Sequence, residues 1–170
     1  MQCITRSLLM ALLPMSALAA EPAIYVVEDA KLSIPDAVVI QYGRSSYFRN
    51  VKFEHTGNGV WRFAGGDKSK LAHVAEVEIV MEATVPPTVM VTLQGYKSLA
   101  CVGLETPAIT RQGKTFHIVL AETAVPDNVR CITSIEPYEI SVELDVAGMP
   151  RGTYAVNANG VLSHFDIPAQ

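Results

Sequence analysis

Tyr138, Ile140, Val142, Leu144 and Val146 alternate strictly with Glu139, Ser141, Glu143 and Asp145. A period of two sends successive side chains to opposite sides of an extended backbone, so this stretch is a strand with one buried face and one acidic, solvated face. The same period recurs along the chain. Val77, Ile79 and Met81 alternate with Glu76, Glu78, Val80 and Glu82, and Val89, Val91 and Leu93 with Met90, Thr92 and Gln94. Phe116, Ile118 and Leu120 alternate with Thr115, His117 and Val119, while Tyr154 with Val156 and Phe165 with Ile167 make two shorter inward pairs. No helical period or repeat competes with this pattern, and no coiled coil is present.

Turn residues fall between these runs. Pro86-Pro87 separates a strand near 74–83 from one near 88–95, and Gln112-Gly113 separates 105–110 from 114–121. Pro126-Asp127-Asn128 follows, and residues 148–152 divide 137–147 from 153–157. Asn159-Gly160 predicts a tight hairpin turn between 153–157 and 161–167, because both residue types tolerate positive φ. Eight short strands in about 100 residues predict an all-β sandwich. Upstream, Val51–Glu54 and Val60–Phe63 flank Thr56-Gly57-Asn58-Gly59 as a further hairpin, with weaker strand signals at 23–28 and 37–42. Gly65-Gly66-Asp67 reads as a break before the second part. Asp67 is a helix-cap residue type, but the β-branched Val74, Val77, Ile79 and Val80 favour a strand, leaving at most one helical turn near 68–72.

The first residues are of a different kind. Arg6 is the only charge before Glu21, and an apolar or small-residue stretch, Leu8–Ala20, ends in Ala17-Leu18-Ala19. A positive start, a short apolar middle and a small-x-small site describe a secretory signal peptide, cleaved after Ala19. The stretch is shorter than the about 20 residues that span a bilayer, and nothing later is apolar enough to do so. The expected organisation is a signal peptide (1–19), an N-terminal β-rich segment (20–70) and a sandwich domain (71–170), in a periplasmic or secreted protein. Cys3 leaves with the leader. Cys101 and Cys131 remain, and in an oxidising compartment they read as one disulfide, worth about 3–4 kcal/mol by chain entropy. Their spacing is far from Cys-x-x-Cys, and no His lies near either.

Thr92-Leu93-Gln94-Gly95-Tyr96, then Cys101 and Cys131, then the amphipathic strand, and last the ending Gly152-Thr153-Tyr154-Ala155-Val156-Asn157-Ala158-Asn159-Gly160 resemble a module of secreted bacterial proteins. The resemblance covers about Val74 to Ile167. It implies an immunoglobulin-like antiparallel β-sandwich with one disulfide, preceded here by an N-terminal β-rich extension. It implies no activity.

The residues themselves supply little chemistry. His55, His73, His117 and His164 form no His-x-x-x-His or His-Glu-x-x-His motif. His117 sits opposite the Phe116 face and reads as a solvated or hydrogen-bonded strand residue. Ser163-His164-Phe165-Asp166 holds the three triad residue types, but on a strand Ser163 points away from His164 and Asp166. No nucleophile elbow or phosphate-binding loop is present. Glu76, Glu78 and Glu82 share one strand face, as do Glu139, Glu143 and Asp145; neighbouring strands would make an acidic patch, read here as a solvated face that also resists aggregation. At 49% hydrophobic and 18% charged residues the chain is not a disordered one, and a net charge of −4 without a basic block argues against nucleic acid as a partner.

The expectation is therefore a non-enzymatic, exported protein that acts by binding a protein or ligand in the cell envelope, its partner an unidentified macromolecule, with no cofactor, no metal and no membrane span. The alternatives are a small secreted hydrolase, or an inhibitor of one, with a site formed only in three dimensions, and a structural envelope component. A deep pocket gathering His and carboxylate side chains would favour the enzyme. The aromatics between Tyr42 and Phe63 are the expected contact surface, Tyr42, Tyr47, Phe48 and Trp61 above all, with Trp61 the most buried of the four.

Overall fold

The computed structural model describes residues 24–26 (backbone only), 30–82, 87–125 and 128–168. The expected leader (1–19), Pro86 and Pro126-Asp127 lie outside the described residues. Among those described the chain is all β. The strands are β1 (Ile24–Val26), β2 (Lys31–Gln41), β3 (Arg44–His55), β4 (Trp61–Ser69), β5 (His73–Glu82), β6 (Thr88–Lys97), β7 (Ala108–Gln112), β8 (Thr115–Val119), β9 (Glu136–Leu144), β10 (Gly152–Ala158) and β11 (Val161–Ile167). They form three sheets, ordered β1-β2-β3-β4, β5-β6-β9 and β11-β10-β8-β7. Seven strands rather than eight therefore make the part from His73 onward.

The second and third sheets enclose the main core. In β5-β6-β9 the register sets Val91 between Ile79 and Val142, and Leu93 between Val77 and Ile140. The opposite sheet contributes Phe116, Ile118, Tyr154, Val156, Phe165 and Ile167 to the same cluster. Phe116, Tyr154 and Phe165 pack with ring centroids 5.7–6.5 Å apart. Val91, Leu93 and Ile118 are wholly buried; each such side chain contributes about 1.5–3 kcal/mol of transfer free energy. Pairing is antiparallel except between β8 and β10, which run parallel. A parallel pair needs a long crossover, and here the chain supplies it by leaving β8 for the opposite sheet, forming β9 there, and returning.

β8 explains the position of the first sheet. Phe116, His117, Ile118 and Val119 are all buried. Phe116 and Ile118 enter the sandwich core, whereas Val119 faces the other way and packs with Tyr47, Ala121, Val38, Leu71 and Ala108. The β1–β4 sheet thus adds a third layer over the outer side of β8. Alternation puts His117 on that covered side too. It is 4% exposed and its Nδ1 has no hydrogen-bond partner among the described residues, so it is neither the solvated nor the fully satisfied histidine expected.

Two local expectations fail. Gly65-Gly66-Asp67 is not a break but part of β4, in a stretch where two register shifts irregularly pair it with β3. The glycines mark a bulged edge strand rather than a turn. No helical turn forms at 68–72: Ala72 N–H donates to the Leu120 carbonyl, Glu122 N–H to the Lys70 carbonyl, and Leu71 bridges Ala121. The backbone there bonds sideways to the extension of β8, leaving nothing for a helical ladder.

The turn at Asn159-Gly160 forms as expected, with φ of +48° and +104°, between the Ala158–Val161 closing pair. Cys101 and Cys131 form a disulfide with Cα atoms 5.6 Å apart. It joins the loop that follows β6 to the loop that precedes β9.

Candidate functional site

β3 and β4 carry an aromatic strip. The rings of Phe48 and Phe53 lie 5.9 and 6.0 Å from Phe63, and His55 lies 5.2 Å from Trp61, all edge-on or tilted. Register produces this: Phe53 pairs with Phe63 and His55 with Trp61. β4 is the outermost strand of its sheet, so Phe63 and Trp61 keep 50% and 40% of their surface exposed. Lys52, Arg62 and Lys68 are exposed on the same two strands, with Arg62 Nη2 3.2 Å from Glu54.

The four aromatics singled out in the sequence do not form one cluster. Tyr47 is 5% exposed and sits between layers against Val119. Trp61, expected to be the most buried, is one of the more open. The reason is strand order: β3 lies inside its sheet and faces β8, whereas β4 closes the outer edge. Tyr42 is 95% exposed at the β2–β3 turn. It lies at the Arg44 end of β3 and Trp61 pairs at the His55 end, about 35 Å away for a strand of this length. Phe53 and Phe63 fall within the expected Tyr42–Phe63 region but not among the four residues put first. Their alternation in Phe53-Glu54-His55 and Trp61-Arg62-Phe63 was visible, but which strand lay outermost was not.

Tyr42 has φ of +50°. A bulky residue rarely adopts this conformation, and its cost is tolerated chiefly where the surroundings enforce it. The Tyr47 phenol is pushed up to about 12, by burial first and then by the charge and hydrogen bond of Asp36 and the charge of Glu105, with Arg49 opposing. Arg49 itself reaches Glu105 at 3.4 Å.

A cleft of about 550 Å³ brings together Lys70, His73, Tyr96, Ser98, Glu122 and Asn159. It holds a histidine and a carboxylate, the combination that would favour an enzyme. Both are engaged. The buried Glu122 carboxylate accepts hydrogen bonds from Ser98 N–H and Ser98 Oγ, each at 2.7 Å, and the His73 ring stacks on Tyr96 at 4.1 Å. The serine hydroxyl donates to Glu122 Oε2 rather than to the His73 ring. At the other triad-like stretch, Asp166 accepts from Thr153 Oγ1 at 2.6 Å. Among the described residues no three His, Cys, Asp or Glu side chains gather to hold a metal ion, and no helix is long and apolar enough to cross a membrane.

The acidic rows lie on the outer face of β5-β6-β9, but β6 stands between them. Gln94 is flanked by Glu76 and Glu139, Thr92 by Glu78 and Ser141. Gln94 Nε2 donates to Glu139 at 3.0 Å, and the Thr92 and Ser141 hydroxyls lie 2.9 Å apart. The neutral polar strand dilutes the charge into a solvated face.

The sandwich geometry has a counterpart among known families. Residues 91–167 match the family model of the ORF11 beta-sandwich domain. The match runs from the middle of β6 to the end of β11. It includes both cysteines and the Asn159-Gly160 turn, and it leaves out the aromatic strip. No curated protein and no solved structure matches the chain.

Proposed function

We propose that this chain is an exported, non-enzymatic binding protein of the bacterial cell envelope, built on an immunoglobulin-like sandwich, and that its aromatic strip is the contact surface. The observation that carries the reading is the half-exposed Phe63, held between Phe48 and Phe53 on an outermost strand. Aromatic rings exposed together and flanked by polar residues are what interfaces concentrate. Lys68, exposed and paired across from Phe48, suits a partner with an acidic rim. Export follows from the leader and accords with the disulfide. Mature protein from a periplasmic or culture fraction then begins at Ala20 by mass spectrometry, and an intact Met1 in a cytoplasmic fraction overturns export.

The binding surface is tested with a photo-crosslinking residue in place of Phe63, irradiated in envelope extract. A discrete adduct is expected, absent when the probe replaces Glu78 on the acidic face. Equal labelling at both positions, or none at Phe63, overturns the reading.

A further inference from the structure

A second groove, of about 250 Å³, lies between β2 and β7 and is lined by Asp36, Ala37, Val38, Tyr47, Ala108, Ile109 and Thr110. Each strand contributes three consecutive residues. Side chains of a strand alternate between faces, so consecutive residues line a groove only where the strand turns its edge toward it. Both edges are open among the described residues: β7 pairs with β8 alone, and β1 covers β2 only from Lys31 to Ser33.

The hairpin turns tell which backbone groups point outward. β7 and β8 join through the two-residue turn Gly113-Lys114, closed by Gln112 and Thr115. Counting back from that hydrogen-bonded pair, Gln112, Thr110 and Ala108 exchange their bonds with β8, and the N–H and C=O of Ile109 and Arg111 face outward. The Tyr42-Gly43 turn, closed by Gln41 and Arg44, likewise leaves Asp36 and Val38 facing away from β3. Ile109, Asp36 and Val38 therefore bring their unused backbone groups to the groove, over an apolar floor of Val38, Tyr47 and Ala108, with the exposed Asp36 carboxylate, which also holds the Tyr47 phenol, at its side.

The geometry points to a peptide-docking site: an extended segment of another protein, with small apolar side chains and one lysine or arginine, adds to the β7 edge and sets its cation against Asp36. Main-chain hydrogen bonds to Ile109 supply the affinity, as in other strand additions, and the carboxylate supplies the charge preference. This site is separate from the aromatic strip and stands or falls independently of it.

The probe is the peptide acetyl-Thr-Val-Lys-Val-Thr-amide, titrated onto the oxidised mature chain by NMR. The Ile109 and Arg111 amides are expected to gain protection from exchange. Ile109→Pro removes one outward donor without touching the β7–β8 ladder, where an edge proline is tolerated; it is expected to weaken binding about tenfold. A peptide N-methylated at its valines repeats that test without altering the protein. Asp36→Asn weakens binding about threefold and flattens its salt dependence, whereas Phe63→Ser leaves it unchanged. Absence of binding, or binding that survives both Ile109→Pro and N-methylation, overturns the proposal. Loss of crosslinking at Phe63 with peptide binding intact would remove the aromatic strip alone.

Discussion

At Asn159 a side-chain amide completes what the backbone leaves open. Nδ2 donates to the carbonyls of Ala72 and Leu120 at 2.9 and 2.7 Å, and Oδ1 accepts from Leu120 N–H at 3.2 Å. The same residue holds φ of +48° in the turn, which asparagine accepts more readily than most. Asn159→Ala strands buried backbone groups and is expected to cost about 2–4 kcal/mol by urea unfolding, with Asn159→Gly, which relieves the φ strain, losing somewhat less. A second residue-scale expectation concerns alkali. Tyr47 and Tyr138 are both pushed up to about 12, Tyr138 by burial and then by the charge of Glu122. Their folded pKa lies above the unfolded one, so the neutral form is favoured in the native state. This contribution is intact below pH 10 and is lost as pH rises from 10 to 12. Phenolate absorbance is expected to show Tyr47 and Tyr138 titrating late, in step with falling melting temperature.

β5 and β6 show how one strand corrects its own phase. Val74 and Val77 both face the core, an odd spacing that a regular strand forbids; Ala75 is the extra residue of a bulge between Val74 and Glu76, and it restores the phase. Gly95 sits opposite, and a Cβ there would collide with the His73 carbonyl oxygen and the Tyr138 ring. The Tyr138 hydroxyl donates to that carbonyl at 3.0 Å, capping the glycine. Gly95→Ala is expected to cost about 3 kcal/mol in denaturant unfolding, the upper end for overpacking. Gly160→Val, a β-branched residue forced to φ of +104° in open space, is expected to cost about 1–3 kcal/mol, by strain alone. These elements were legible in the sequence because half-burial writes a period of two, and Asn-Gly writes a turn. The hairpin start of β4 was legible too, but its continuation past Phe63 was not, since an exposed, bulged edge strand has no buried face to write a period. The β8–β10 neighbourhood was hidden for a related reason: alternation reports that a face is covered, never by which strand.

Across the whole molecule the layers decide what is available for contact. Tyr47 and Trp61 exchanged their expected places because the first sheet lays its inner strand on β8 and its last strand outward. Composition alone carries no trace of that choice. The cysteine pair was legible, since two thiols left after an expected leader have one partner each. Reduction of Cys101–Cys131 is expected to lower the melting temperature by about 5–12 °C in a scan with and without reductant. The position of that bond matters beyond its contribution to stability. β6 and β9 are neighbours in register, Lys97 against Glu136, although β7 and β8 intervene in the chain. Cys101 lies just past the end of β6 and Cys131 just before the start of β9, so the covalent path between the two strands is short once the sulfurs are joined. For the search through unfolded conformations the bridge behaves as a hairpin turn made of sulfur. It converts the slowest kind of strand encounter, one between distant segments, into a local one. Oxidised chains should therefore complete the three-stranded sheet early, and reduced chains should linger with the β6 and β9 edges exposed.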